Sequence, residues 1–413
     1  MDGSERKARD PVQRPSEQRS DPTLKPTSRE VGLVASLFAA MLVSTFPEFT
    51  LGVLAPILVD ELGVGEASVG IAASAMYLGA AVFARTAGRR LDDIGGRTGL
   101  ILLYGAAIGS LTVLAASRSL AWLVVAGFLG SFALGTNNPM SSRFIVAAVA
   151  PARRGLAIGI KQTGVKTGQM LAGAMLPWLA ATLGWRSGLL AFAGVMVVLL
   201  LVSLPTVPST PLAATQSGQS SVAEARARVR WLQLYAVSMA VGQSAITTYL
   251  ALYAVQRLDL SLTAGGLLVS TFAVTAVVSR LVWVSIADRI GHPSLILLII
   301  SFGALLGLLS FVAALTLGPA MLWVGAVVTG VTVGSWNVIV QLAVLAEVDA
   351  LRTASATGAV QAAFMFGMAA GAPLFGGVLQ LTGSFLSAWV GALLMAAIAF
   401  VTAATRYRSL RPS

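Results

Sequence analysis

The chain has 413 residues, 56% hydrophobic and only 11% charged, with a mean hydropathy of +0.82. A soluble domain carries roughly 25% charged residues to face water, so this composition excludes a water-soluble globule and implies lipid as the solvent. Cysteine is absent and His292 is the one histidine, which excludes disulfides, thiolate metal sites and His-cluster metal sites, and no cofactor is expected. The formal charge of +11 does not indicate nucleic acid, because the basic residues punctuate apolar runs and do not form one face.

Residues 1–30 are polar and mixed in charge, and lack the apolar core and cleavage site of a signal peptide. They are expected to be a disordered cytoplasmic tail. Apolar runs follow, each long enough to cross about 30 Å of hydrocarbon as a helix. They predict twelve spans, near 31–57, 67–87, 98–117, 119–148, 155–182 and 187–206, then 231–256, 263–286, 293–316, 318–345, 355–380 and 385–405. The polar stretch 207–230 divides the chain into a six-helix bundle at 31–206 and another at 231–405, with a second tail at 406–413. With the N-terminus inside, the inner loops and C-terminal tail carry Arg85, Arg89, Arg90, Arg97, Arg153, Arg154, Arg226, Arg228, Arg230, Arg289, Arg352, Arg406, Arg408 and Arg411. The outer loops carry only Arg118, Arg186 and Arg257. Basic loops stay inside, so both termini are expected in the cytoplasm of a protein of the inner membrane.

The halves repeat. A shift of 199 residues carries Gly135, Asn138, Gly159, Gln162, Gly168 and Gly184 onto Gly334, Asn337, Gly358, Gln361, Gly367 and Gly383. A shift of 196 carries Asp92 and Gly95 onto Asp288 and Gly291. Duplicated halves are how many secondary transporters build a central site that opens to alternate sides.

The loop after span two runs Gly88-Arg-Arg-Leu-Asp92-Asp93-Ile-Gly95-Gly96-Arg97. It resembles the cytoplasmic loop signature of the major facilitator superfamily at Gly88, Asp92, Gly95 and Arg97, with Asp93 where arginine is usual. The second copy keeps Asp288, Arg289 and Gly291, with Val284 in place of the leading glycine. The resemblance implies two pseudo-symmetric six-helix bundles and a gating loop whose carboxylate acts as a breakable latch on neighbouring helix ends; ordinary topogenic charge is the plainer reading. Span five from Arg154 to Gly164, the turn Leu183-Gly-Trp-Arg186, Ser335-Trp336-Asn337 and Thr357-Gly-Ala-Val-Gln361 look like the cyanate and organic-anion branches. The Gly-Pro-x-x-Gly-Gly run of antiporters is not met, because Gln169 follows Gly168.

A charge at the bilayer centre costs at least about 2.5–3.5 kcal/mol, so an intramembrane ion is a functional candidate. Glu48, Arg143, Lys161, Lys166 and Arg280 qualify, and an excess of positive charge favours an anionic guest. Lys161 and Lys166 lie about 140° apart around a helix, so one lines the cavity while the other packs or snorkels. Arg280 either gates through a carboxylate or binds a substrate anion. Glu48, beside Pro47, is a proton carrier or a structural partner for a cavity lysine. Asn137, Asn138, Gln162, Gln243, Tyr249, Trp336, Asn337 and Gln361 are neutral candidates for the cavity wall. The leading reading is a proton-linked transporter of a small organic anion, expected as a monomer in the bilayer; the alternative is a proton-driven drug or metabolite exporter. No phosphate-cradling loop or catalytic constellation is present, so neither ATP-driven transport nor enzyme activity is expected.

Overall fold

The computed structural model describes residues 27–208, 228–349 and 353–409, with backbone alone for 85–94, Asp288 and Ala354. The expectations for Gly88, Asp92 and Asp288, for residues 1–26 and 209–227 and for 410–413 lie outside the described residues. Fourteen α-helices are described: α1 Ser28–Val53, α2 Ala55–Leu62, α3 Glu66–Ile94, α4 Gly96–Ala115, α5 Leu120–Ala148, α6 Arg154–Leu183, α7 Trp185–Ser203, α8 Arg230–Leu258, α9 Leu262–Ile290, α10 Pro293–Leu317, α11 Ala320–Thr332, α12 Trp336–Glu347, α13 Thr353–Thr382 and α14 Phe385–Ser409. No strand is described.

Twelve spans account for these helices. The eight residues of α2 reach only about 12 Å at 1.5 Å per residue, so α2 extends the turn after α1 and does not cross. Helices α11 and α12 form one span broken at Val333–Ser335. Ten spans are long and apolar enough to cross a membrane on composition alone; α6 and α8 are not among them. The reason is their position. Helix α6 packs one face on α1, α7 and α9, and α8, most of which is buried, packs on α1, α13 and α14. Such helices can carry Lys161 and Lys166, or Gln243, Ser244, Thr247 and Thr248, without placing them in hydrocarbon.

Local chemistry sets the helix ends. Thr27 and Glu30 form a reciprocal capping box at the start of α1. Glu30 also pairs with Arg153 at 2.9 Å, fixing the start of α1 to the start of α6. The two repeat shifts reappear as backbone geometry. Gly95 ends α3 and Gly291 ends α9 with φ of 74° and 68°, and Gly184 and Gly383 stand between the last two spans of each half with φ of 81° and 62°. A side chain in that left-handed region is strained, so glycine serves the same turns in both halves.

Within the first half α3 packs on α5, α1 on α6, and α4 on α5 and α7. Within the second, α8 packs on α13 and α14, and α10 on α11 and α14. The seam between them joins α3 to α13, α6 to α9 and α1 to α8. Among the described residues, two hydrogen bonds cross it: Tyr249 donates to Glu66 O at 3.0 Å and Ser270 to Met170 O at 2.8 Å. Both lie toward the face of the protein opposite the termini. There Gly173 and Gly266 let α6 and α9 meet backbone to backbone, since a Cβ on Gly266 would stand 2.2 Å from Gly173 O.

Candidate functional site

The two lysines of α6 point to different faces, as their spacing requires. Lys161 is 1% exposed and its ammonium donates to Ser141 Oγ at 2.8 Å and to Asn138 Oδ1 and Ser142 Oγ at 3.3 Å, all on α5. Three neutral oxygens thus match its three donors. Lys166, 2% exposed, donates to Gln169 Oε1 at 2.8 Å, one turn along its own helix. Its other neighbours are rings: Phe272 of α9 with its centroid at 4.8 Å and Phe49 of α1 at 5.9 Å. A cation over aromatic faces is attracted by their quadrupoles, but two of its N–H donors find no acceptor among the described residues. Lys166 therefore stands on the seam, whereas Lys161 is enclosed within the first half.

Glu48 of α1 and Arg280 of α9 lie within electrostatic reach of Lys166. Tyr77 of α3 donates its phenol to Glu48 Oε1. No carboxylate among the described residues comes within 4.0 Å of Lys161, Lys166 or Arg280. Lys166 and Arg280 against Glu48 leave this centre with net positive charge.

Arg280 is tied to the break in span ten. Where the chain leaves the helix, Gly334 N reaches back to Thr329 O at 2.9 Å, and neighbouring carbonyls lose their intrahelical partners. Trp283 Nε1 donates to Val331 O at 2.8 Å and Arg280 Nη2 to Gly334 O at 3.3 Å, so α9 satisfies the break from the side. Arg280 Nε and Asn337 Oδ1 remain buried without a hydrogen-bond partner, as does Gln169 Nε2 beside Lys166. A buried polar atom left without a partner costs about 1–3 kcal/mol.

The other candidates are distributed more widely. Gln162 Nε2 donates to Asn138 Oδ1 at 3.3 Å, joining the Lys161 group. Trp336 is buried and donates to Gln243 Oε1 at 3.0 Å, and Asn137 donates to Ser44 Oγ at 2.7 Å, so these pairs bind neighbouring helices to one another. Tyr249 is buried at the seam, stacked on Phe375 at 4.8 Å. Arg143 is half-buried next to Ser142, and Gln361 is half-buried on α13. Of the loop residues, Arg97 Nε donates to Val207 O at 3.2 Å, and Arg289 is exposed. Sequence reasoning missed Tyr77, Phe49, Phe272 and the Lys166–Gln169 pair. The last had a signal, a donor and an acceptor three residues apart on one helix.

Comparison with known proteins agrees with this architecture. The family model described as Major Facilitator Superfamily matches residues 37–372. A gallate transporter of Pseudomonas putida is 31% identical over 195 residues, 46% of this chain and 43% of that protein. A 4-hydroxybenzoate transporter of Acinetobacter baylyi is 27% identical over 190 residues, 45% of this chain and 41% of that one. The chain thus spans under half the length of these two relatives. Among solved structures, a bacterial homolog of the human lysosomal transporter Spinster, inward-facing and unoccupied, superposes with a TM-score of 0.73 at 14% identity over 94% of this chain and all of that one. The nucleoside transporter NupG superposes with a TM-score of 0.72 at 18% identity over 94% of this chain and all of that one. The fold, the repeat and the family match agree: the chain belongs to the major facilitator superfamily.

Proposed function

We propose that the chain is a secondary transporter of a small organic anion, with an aromatic carboxylate as the substrate class. The observation that carries this reading is Lys166, a buried ammonium on the seam with rings of both halves around it and no carboxylate within 4.0 Å among the described residues. A carboxylate there supplies the missing acceptor and lowers the cost of the buried cation. The rings of Phe49 and Phe272 suit an aromatic body, and the names of the gallate and 4-hydroxybenzoate relatives favour the same class. Arg280, with Nε unsatisfied, is the second anchor in this reading. Export of a lipophilic cation, the alternative open from the sequence, suits a positive centre poorly.

The anchors belong to different halves, so a bridging substrate biases how the halves sit against each other. The backbone contact of Gly173 with Gly266 is the seal on one side of the membrane, and alternating access requires it to part. Glu48, held by Tyr77 within reach of Lys166, is the proposed proton carrier: a proton on Glu48 offsets the carboxylate that enters beside it. In this reading the protein is a monomer of the inner membrane with both termini in the cytoplasm, and the loop around Asp92 and Asp288 is its latch. Purified protein in liposomes should accumulate labelled 4-hydroxybenzoate or benzoate when the outside is made acidic. Uptake that ignores the proton gradient would remove the coupling, and no saturable uptake of any aromatic acid would remove the substrate class.

A further inference from the structure

Gln169 stands where the antiporter run would place proline, and its side chain is buried. Its direction follows from its neighbours on α6. A Cβ on Gly164 would meet Phe38 O at 2.5 Å and one on Gly168 would meet Leu42 O at 3.1 Å, so those positions face α1. Gly173 faces Gly266 of α9. At 3.6 residues per turn Gln169 falls between these two faces. Ile160 and Trp178, nine residues to either side and so about half a turn round the helix, are exposed on the outer surface. Gln169 therefore projects into the interior of the bundle, beside Lys166.

The orientation of its carboxamide is forced. An ammonium only donates, so the atom that Lys166 meets at 2.8 Å is Oε1, and the amide nitrogen points the other way. That nitrogen is buried without an acceptor among the described residues. Gln169 thus spends its acceptor on Lys166 and keeps its donors free, so two neighbouring side chains offer N–H groups side by side. The matching turn of the second half does without them. A shift of 199 residues carries Lys166 and Gln169 onto Met365 and Met368 of α13, and Met368 is buried with no N–H donor to satisfy. We infer that Gln169 is a specificity-determining residue: Lys166 holds one oxygen of the substrate carboxylate and Gln169 Nε2 donates to the other. The role rests on the aromatic-carboxylate reading and goes further, because it makes the site select anions with two adjacent acceptor oxygens over anions with one. A carboxylate meets both donors. A phenolate oxygen meets Lys166 and leaves the Gln169 amide unsatisfied, and that kind of loss is how hydrogen-bonding sites discriminate.

The test titrates the full chain in mild detergent with benzoate and with pentafluorophenolate, aromatic monoanions carrying two oxygens and one, and reads binding by calorimetry. Wild type should prefer benzoate about tenfold, as expected for one hydrogen bond to a charged group. Gln169→Met, the side chain that the repeat carries at this turn, should bind benzoate about tenfold more weakly, hold pentafluorophenolate as before and so lose the preference. A merely structural role would weaken both anions alike, and that result overturns the inference. Equal affinity of wild type for the two anions also overturns it, with no need for a variant that folds. Wild type that binds neither anion removes the carboxylate reading itself, and the role with it. Benzoate binding with a preference that survives in Gln169→Met removes the role of Gln169 alone.

Discussion

Two amines on one helix, five residues apart, have opposite surroundings. Lys161 faces α5 and is matched donor for acceptor by Asn138, Ser141 and Ser142. Lys166 faces the seam with one amide oxygen and two rings. Both are buried cations with no carboxylate within 4.0 Å among the described residues, so burial alone does not distinguish a structural charge from a functional one. The distinction lies in what remains unmatched. A satisfied ammonium needs no guest, whereas one with spare donors between two moving halves is poised to bind one.

Several measurements can break or sharpen this contrast. The largest effect is expected from Lys166→Ala, which removes the proposed anchor. Charge-assisted hydrogen bonds contribute about 1.5–3 kcal/mol, so apparent affinity for an aromatic carboxylate should fall roughly 10- to 100-fold in a binding titration. Glu48→Gln should abolish stimulation of uptake by an imposed proton gradient while leaving exchange of labelled for unlabelled substrate intact. Gly266→Ala tests the seam, because the new methyl would stand 2.2 Å from Gly173 O and 2.5 Å from Pro177 Cγ. Overpacking of this kind costs about 1–3 kcal/mol, so the closed arrangement should lose population and the melting midpoint should drop. Lys161→Met should change substrate affinity by less than about threefold, the contribution of a contact well under 1 kcal/mol.

The smallest effect concerns Glu61, outside the spans. The Trp185 indole N–H at 2.8 Å and Arg186 at 2.9 Å hold its carboxyl below the usual carboxylate range. Its contribution is present above the unfolded pKa and is lost as pH falls through the lower folded value. The pair is close to half exposed, so solvent screening keeps it under about 0.5 kcal/mol. Glu61→Gln should lower stability at neutral pH by that small amount and remove the corresponding loss on the acid limb near pH 4.

The helices were legible because a lipid solvent demands long apolar runs: the expected spans 98–117 and 231–256 differ from α4 and α8 by two residues or fewer at each end. The break at Val333–Ser335 was not legible, because Val331, Val333 and Gly334 extend an apolar run whether or not their backbone is helical. The divergence of Lys161 and Lys166 followed from 3.6 residues per turn. Which of them faces the seam did not, since that depends on α5 and α9, more than a hundred residues apart in sequence. Arg280 was weighed between a carboxylate and a substrate, and its hydrogen bond goes instead to Gly334 O, a partner created by the unreadable break. Tyr77 gave no signal, because one phenol among small and apolar residues has no periodicity.

The most direct test of the central contrast is the thermal response of wild type, Lys161→Met and Lys166→Ala to one aromatic carboxylate in detergent. A ligand that binds only the folded state raises the melting midpoint in proportion to its affinity. Wild type and Lys161→Met should shift alike and Lys166→Ala should not shift. A response retained by Lys166→Ala and lost by Lys161→Met would contradict the account and move the anion site to the α5–α6 interface.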